Sequence, residues 1–356
     1  MLSHMIRIAV LLSWMPFAAL AQNEVIFPGV GEGSEMLKIY STLDVTVATP
    51  LIEAFQQTRP GLQVDYREMQ SLDIYERILE EANQGAPTAD LVISSAMDLQ
   101  MKLANDGYAQ PLDLAHDAVW PGWANWRDTA VALTFEPAVI VYHKPSFEGS
   151  ALPRTREALG ALLAAQEASL YGRIGTYDIE RSGLGFLFFA RDAEHNRAVW
   201  SLVQRMGGAG VKLYSNSASI LERVADGRFA LGYNILGSYA EAWAKLDPDV
   251  GIIMPEDYTV VMSRIALVPA TARNHVDASR FMDYLMSVEG QAAMTLEANL
   301  PALRPDVTGP GTASALRATE GEALRPISVS PGLLVYLDQV KRARLIEQWN
   351  EALRSP

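Results

Sequence analysis

Serine, threonine and asparagine side chains follow five predicted strands in this chain, and together such groups can hold a small anion. A strand that leads into a helix places the free N–H groups of the helix N-terminus beside the turn, and these groups favour negative charge. A single polar residue at such a turn is most often an ordinary helix cap. Five polar turns across both halves of the chain instead predict one shared cleft. Its predicted residues from these turns are Ser41, Thr42, Ser94, Ser95, Ser182, Asn216 and Asn234.

The turn Arg181-Ser182-Gly183 is the strongest single candidate for binding an anion. Arginine offers a fork of N–H donors that matches phosphate or carboxylate, and glycine lets a ligand approach the backbone closely. The same turn is also compatible with a surface arginine beside a helix cap. The sequence pattern leaves both interpretations open.

Motifs for catalysis or metal binding are missing from the sequence. The five histidines are scattered, with no pair at helical spacing, and there is no cysteine to act as a nucleophile or thiolate ligand. The motifs GxSxG, GxxxxGK[ST] and GxGxxG do not occur. The cluster Asp178, Glu180 and Arg181 could form an acid–base pair in a secreted hydrolase, although a solvated or ligand-orienting loop is favoured. We therefore expect no enzyme, no metal and no cofactor.

The elements that must position these turns are strands and helices in alternation. Apolar runs and helical periodicity predict strands at 37–40, 62–66, 90–94, 139–142, 173–176, 229–234 and 265–268. They predict helices at 50–58, 73–84, 97–106, 155–166, 217–227 and 278–294. Strands that alternate with helices of this size indicate an α/β protein with a mainly parallel sheet.

Length and charge limit the class of protein further. A chain of 356 residues corresponds to about two domains. The net charge of −13 argues against nucleic acid, which needs a basic surface. It does not exclude an anionic ligand, because the field inside a site can oppose the charge of the whole protein.

The N-terminus has the features of a cleavable signal peptide over residues 1–21. Arg7 precedes the apolar stretch 8–20, and Ala19-Leu20-Ala21 supplies the small residues required before cleavage at Gln22. No cysteine follows that could carry a lipid anchor. The alternative is an uncleaved helix that is buried or lies in the membrane, but the stretch is short for a bilayer span. We expect secretion to the periplasm.

Several segments resemble the periplasmic substrate-binding proteins of ABC importers, in particular the ferric-binding branch and its relatives for sugar phosphates, phosphonates and phosphoglycerate. The segments are Tyr40-Ser41-Thr42, PLIEAF at 50–55, DLVISS at 90–95, NSAS at 216–219 before ALGYN, and FMDYLMSVEGQAAM at 281–294. The resemblance implies a type II periplasmic-binding-protein fold, with two lobes that each hold a central mixed sheet and a two-strand hinge. The expected first lobe comprises 37–128 and about 261–300, and the second 129–260 and about 301–356. The implied protein is a monomer that delivers its solute to a membrane permease.

The departures from the ferric-binding pattern argue against iron. Asp44 stands where that branch has a histidine, Ala96 where it has a glutamate, and Ser238-Tyr239 where it has two tyrosines. Ferric iron needs several hard oxygen ligands, and this set keeps at most two. The residues that match the anion pocket of the family are Ser182, Gly183, Asn216, Tyr239 and, near the equivalent position, Asn234.

The predicted site therefore has two walls around a small anion, an organophosphate or a carboxylate. One wall holds Ser41, Thr42, Ser94 and Ser95, and the other holds Arg181, Ser182, Gly183, Asn216, Asn234 and Tyr239. The segment 328–338 also resembles regulatory binding proteins that report phosphoglycerate to a sensor kinase. A sensing accessory protein is accordingly the alternative to a transport protein.

Overall fold

The structure is a computed structural model that describes residues 23–30, 35–115, 117–165 and 167–355. The predicted signal peptide, 1–21, lies outside the described residues. The strands are β1 Asn23–Phe27, β2 Met36–Ser41, β3 Gln63–Glu68, β4 Leu91–Ser94, β5 Asn125–Trp126, β6 Ala130–Ala132, β7 Glu136–His143, β8 Ile174–Tyr177, β9 Lys212–Tyr214, β10 Leu231–Leu236, β11 Val250–Ile253, β12 Thr259–Met262, β13 Ile265–Leu267 and β14 Leu324–Pro326.

The α-helices cover both sheets. They are α1 Val45–Thr58, α2 Ser71–Asn83, α3 Met97–Asn105, α4 Arg156–Ala165, α5 Glu167–Leu170, α6 Gly183–His195, α7 Val199–Gly208, α8 Ser217–Ala225, α9 Gly237–Leu246, α10 His275–Met286, α11 Val288–Leu296, α12 Ala313–Glu320 and α13 Gln339–Arg354. A 3₁₀ helix, Pro331–Tyr336, precedes α13.

The strands form two mixed sheets of seven strands each. The first has the order β1-β3-β2-β4-β13-β6-β5, in which β3, β2 and β4 are parallel. The second has the order β14-β12-β7-β10-β8-β9. The long strand β7 pairs with both β11 and β12. The predicted α/β class and two-lobe fold are confirmed.

Two short extended segments join the sheets, as the predicted two-strand hinge requires. One runs over 133–135 between β6 and β7, and the other over 263–264 between β12 and β13. They are bonded to each other, because the Leu133 N–H donates to the Arg264 carbonyl at 2.8 Å and the Arg264 N–H donates to Thr134 Oγ1 at 2.9 Å. The first sheet thus continues to Ala132, a few residues beyond the boundary expected at Asp128.

The C-terminal segment is shared between the lobes, whereas the sequence places all of 301–356 in the second. Strand β14 pairs with β12 in the second sheet, and α13 packs on α7 there. Between them, the 3₁₀ helix Pro331–Tyr336 packs on α3 of the first lobe. The Val329 N–H also donates to the Trp123 carbonyl, in the loop before β5, at 2.8 Å.

Helix α1 starts five residues before the predicted start at Pro50, which therefore lies inside the helix. Proline has no N–H and removes the bond to the carbonyl four residues earlier, that of Thr46. Thr46 is an exposed residue. Leu51, Ile52 and Phe55 form the buried face, as the periodicity predicts.

The long helix predicted over 278–294 is instead two helices separated at Ser287. The Ser287 hydroxyl donates to the Tyr284 carbonyl that ends α10 and accepts the Gly290 N–H that starts α11. A Cβ on Gly290 would lie 1.9 Å from the Tyr284 carbonyl oxygen, so the sharp turn requires glycine. The Val-Glu-Gly-Gln motif is therefore a helix junction.

Candidate functional site

A cleft of about 300 Å³ lies between the two lobes, beside the hinge. The N-terminal ends of α1, α2, α3, α6, α8 and α9 contribute to its lining or directly adjoin it, so the positive ends of several helix dipoles lie near the same space. The lining residues are Thr42, Asp44, Glu68, Met69, Gln70, Ser71, Ser95, Tyr177, Ser182, Leu184, Ser215, Asn216, Ser217, Ala218, Ser219, Leu236, Tyr239 and Arg264.

The first-lobe wall is built at the ends of two adjacent parallel strands. Thr42 follows β2 and Ser95 follows β4, and because these strands pair directly their exits lie side by side. Thr42 Oγ1 accepts the Ser95 N–H at 3.0 Å and lies 3.3 Å from Ser95 Oγ. The two hydroxyls therefore form one connected polar edge.

The second-lobe wall consists of two capped helix N-termini. Ser182 Oγ caps α6 by accepting the Gly185 N–H at 3.1 Å, and Asn216 Oδ1 caps α8 by accepting the Ser219 N–H at 2.9 Å. Between them the Tyr177 hydroxyl lies 2.5 Å from Ser217 Oγ. Burial raises the pKa of Tyr177 to about 12, so it keeps its proton at neutral pH. The wall is rich in hydroxyl and amide groups and carries no formal charge.

Arg264 is the only cation among the lining residues, and it comes from the hinge itself. Its side chain is 2% exposed, and Nε donates to Glu136 Oε1 at 3.0 Å. Nη1 lies 3.3 Å from Thr42 Oγ1, whereas Nη2 is buried without a hydrogen-bond partner in the described part of the chain. Burial lowers the pKa of Arg264, but the charged and phenolic groups around it, Glu136 first among them, together raise it above its ordinary value, so the guanidinium stays charged. An anion that reaches Nη2 would complete its hydrogen bonding.

Asp44 and Tyr239 link the two lobes across the cleft. The Tyr239 hydroxyl donates to Asp44 Oδ1 at 2.8 Å and accepts the Asp44 N–H at 3.4 Å. Burial raises the pKa of Tyr239 above its ordinary range, and the Asp44 carboxylate raises it further. Tyr239 is therefore a neutral donor to Asp44.

Five of the predicted site residues line this cleft together, and five lie elsewhere. Those in the lining are Thr42, Ser95, Ser182, Asn216 and Tyr239. Ser41 and Ser94 each lie one position before the residue that lines the cleft, and both are buried. Their hydroxyls accept the backbone N–H groups of Leu43 and Ala96, two residues further on. Because side chains alternate along a strand, only the second residue of each pair points to the cleft.

Gly183, Asn234 and Arg181 also differ from the prediction. A Cβ on Gly183 would lie 2.5 Å from Ser71 Oγ in the first lobe. The glycine therefore permits a close approach of the two lobes, whereas the sequence predicted a close approach of a ligand. Asn234 has a φ of 58° at a bulge in β10, and its Nδ2 donates to buried Asp192 at 2.6 Å. Arg181 is exposed and absent from the lining, and its N–H and that of Ser182 donate to the Asp178 carbonyl in the turn.

The sequence reasoning missed two carboxylates and the hinge arginine. Glu68, at the end of β3, accepts the Val45 N–H at 3.0 Å and so stabilises the start of α1 beside Asp44. Arg264 interrupts the apolar run from Val260 to Val268, and a charge inside such a run is a sign of a buried functional group.

Residues 50–317 match the family of bacterial extracellular solute-binding proteins. This match covers about three quarters of the sequence. The chain belongs to that family. The resemblance found in the sequence is confirmed, and the cleft of this solute-binding protein lies where its two lobes meet.

Solved structures agree with this assignment. The substrate-binding protein of the ABC transporter from Agrobacterium tumefaciens is 55% identical, with 94% of this chain and 99% of that chain covered and a TM-score of 0.91. The periplasmic binding protein AfuA from Actinobacillus pleuropneumoniae, with fructose-6-phosphate bound, is 15% identical over 91% of this chain and 100% of that chain, with a TM-score of 0.74. Iron-bound HitA from Pseudomonas aeruginosa is 17% identical over 89% and 99%, with a TM-score of 0.68. The last two show the fold alone. No curated protein matches the chain.

Two further observations concern the described residues only. Their His, Asp and Glu side chains form no group of three or more that could hold a metal ion. Among the described helices, none combines the length and apolar character needed to cross a bilayer.

Proposed function

We propose that this solute-binding protein captures a small organic anion in the interlobe cleft and delivers it to the membrane permease of an ABC importer. The observation that carries the proposal is Arg264, the one cation in the cleft lining, whose buried Nη2 has no hydrogen-bond partner among the described residues. An unsatisfied buried donor costs about 1–3 kcal/mol, which a ligand acceptor would recover. The converging helix N-termini add to the attraction for a negative group.

The ligand also carries hydroxyl groups. Asp44 and Glu68 line the same cleft and, as ionised carboxylates, can only accept hydrogen bonds. A polyanion without donors would be repelled by them, whereas a hydroxylated phosphate or carboxylate can place its charge near Arg264 and its hydroxyls near the carboxylates. The fructose-6-phosphate in AfuA is a compound of this chemistry, although that relative shares only the fold.

The expected cellular setting is the periplasm, reached through cleavage of the signal peptide at 1–21. There the lobes would close on the ligand, since contacts made to both walls favour the closed form. Ser41, Ser94, Arg181, Gly183 and Asn234 have no direct part in this proposal. Thr42, Ser95, Ser182, Asn216 and Tyr239 remain the proposed contacts from the two walls.

A thermal-shift screen of the purified protein tests the ligand class. Phosphorylated sugars, phosphoglycerate, phosphonates and hydroxylated di- and tricarboxylates are compared with uncharged sugars and with unhydroxylated dicarboxylates. A ligand at about 100 times its dissociation constant should add about 2.7 kcal/mol of stability. Stabilisation by uncharged or cationic solutes alone would contradict the proposal.

The transport role needs a separate measurement once a ligand is known. Cells that lack this chain should lose uptake of the ligand and regain it with the wild-type protein. Normal uptake together with a failed transcriptional response to the ligand would instead identify a sensing accessory protein.

A further inference from the structure

A second polar cavity, of about 300 Å³, lies on the outside of the molecule between α6 and the C-terminal segment. It shares no residue with the interlobe cleft. Its lining residues are Arg191, His195, Arg325, Pro326, Ile327, Ser328, Ser330 and Gly332. This cavity joins α6 of the second lobe to the segment that continues onto α3 of the first.

The cavity is positive although the protein as a whole is strongly negative. Two arginines and a histidine line it, and no carboxylate does, in a chain with a net charge of −13. Arg325 is exposed, and its Nη1 donates to the backbone carbonyls of Glu322 and Leu324. Within the described residues Arg325 forms no salt bridge, so its charge is not neutralised by a carboxylate.

Among the described residues Arg191 forms one salt bridge, to a carboxylate outside the lining. Its side chain is 17% exposed, and Nη1 donates to Glu194 Oε2 at 2.5 Å. A guanidinium has five N–H donors, so this ion pair leaves others for a second acceptor. The two arginines therefore offer more donors than the protein's own carboxylates use.

His195 and two serines complete the polar lining. The His195 ring stacks on Tyr258 at 5.3 Å between centroids, and its Nδ1 lies 2.8 Å from the Arg191 carbonyl. These two contacts fix the ring, and donation from Nδ1 to the carbonyl leaves Nε2 as its other polar atom. Ser328 and Ser330, from the C-terminal segment, also line the cavity.

We propose that this cavity is a second anion site, which takes a small, doubly charged tetrahedral oxyanion such as phosphate, sulfate or a phosphoryl group. A guanidinium group matches the oxygens of such an anion with bidentate hydrogen bonds, and serine hydroxyls supply neutral donors. The occupant is a free anion in solution. Its binding does not depend on the solute held in the interlobe cleft.

Binding at this site should also connect the two lobes. Arg191 and His195 belong to α6, whereas Ser328 and Ser330 flank Val329, whose N–H is bonded to the first lobe at Trp123. An anion held by both sides would tie the C-terminal segment to α6.

Calorimetric titration of the full chain with sulfate, against sodium chloride of equal ionic strength, tests the proposal. We expect one sulfate site in the wild-type protein and about tenfold or weaker affinity in Arg325→Gln. Ser328→Ala should weaken binding less, because it removes a neutral donor. The matched control is Arg154→Gln, which removes an exposed arginine from the same lobe and should leave sulfate affinity unchanged.

Three outcomes would overturn the proposal. Equal losses in Arg325→Gln and Arg154→Gln would mean unspecific attraction to surface charge. Loss of sulfate binding in the cleft variant Arg264→Lys, with normal binding in Arg325→Gln, would place the sulfate in the cleft and leave the proposed function intact. Binding to phosphatidylglycerol vesicles that requires Arg325, without any binding of free sulfate, would identify a lipid headgroup as the occupant.

Discussion

Two buried arginines, Arg156 in the second lobe and Arg264 in the hinge, stand in similar surroundings but differ in one respect. Both side chains are 2% exposed, and each is paired with a fully buried carboxylate, Asp192 or Glu136. Each guanidinium also lies near a tyrosine ring, that of Tyr258 in the first case.

The difference is in their hydrogen bonds. Arg156 donates through Nε to Tyr233, through Nη1 to Asp257 and the Tyr258 carbonyl, and through Nη2 to Asp192. Asp192 in turn accepts from Tyr233, Asn234 and Tyr258. Arg264 borders a cavity, and its Nη2 has no hydrogen-bond partner in the part of the chain that the structure describes. A saturated buried network serves stability, whereas an unsaturated one beside a cavity is available to a ligand.

The largest expected effect is the loss of stability on breaking the saturated network. Asp192→Ala should lower the free energy of unfolding by about 3–5 kcal/mol, because it leaves Arg156 as a buried charge without its main partner. Urea unfolding measures this change. The affinity of the folded protein for its solute should be unchanged, and a loss of affinity at unchanged stability would contradict the comparison.

Arg264→Lys tests the unsaturated hydrogen-bond network in the hinge. Lysine keeps a charge near Glu136 but loses the fork of donors, so solute affinity should fall about ten- to hundredfold, with a smaller loss of stability than in Asp192→Ala. Titration calorimetry with the solute found in the screen measures this change. The matched control is Arg156→Lys, which should reduce stability and leave affinity alone; if both lysine variants bind alike, Arg264 has no special role.

Asp98 extends the comparison to a buried carboxylate that forms no salt bridge within the described chain. Burial raises its pKa to about 6, with Arg342 and Arg191 opposing the shift. The native carboxyl thus holds its proton to a higher pH than the unfolded one, so the stability of the protein falls as pH rises from about 4 to about 6. Asp98→Asn removes this cost and should be about 1–3 kcal/mol more stable than wild type at pH 7 and similar at pH 4.

Urea unfolding at the two pH values checks the Asp98 prediction. Asp249→Asn, at an exposed position, serves as the control and should change the stability by the same amount at both pH values. A difference between Asp98→Asn and wild type that is the same at pH 4 and pH 7 would mean that ionisation of Asp98 carries no cost.

The smallest expected effect is that of Arg181→Ala. Its side chain is exposed and absent from the cleft lining, so solute affinity should change by less than about fivefold. Titration calorimetry of Arg181→Ala and of the cleft variant Asn216→Ala with the same solute compares the two positions directly. A tenfold loss in Arg181→Ala alone would show that this loop reaches the ligand, as the sequence pattern suggested.

Much of the cleft could be predicted because its walls follow local rules. Apolar periodicity located most strands and helices, and a polar residue between a strand and a helix identified Thr42, Ser95, Ser182 and Asn216. These signals extend over a few residues, and strand pairing then brings separate turns to one edge.

The sequence by itself thus determined the α/β class, the family and the polar character of the cleft. The tertiary structure decided which member of each serine pair faces the cleft, that Asn234 belongs to the Asp192 network, and that Arg181 points outwards. It alone placed Arg264 against Glu136, 128 residues away in sequence, with no described residue bonded to Nη2. Whether a buried charge is satisfied depends on every group that packs around it, and those groups come from distant parts of the chain.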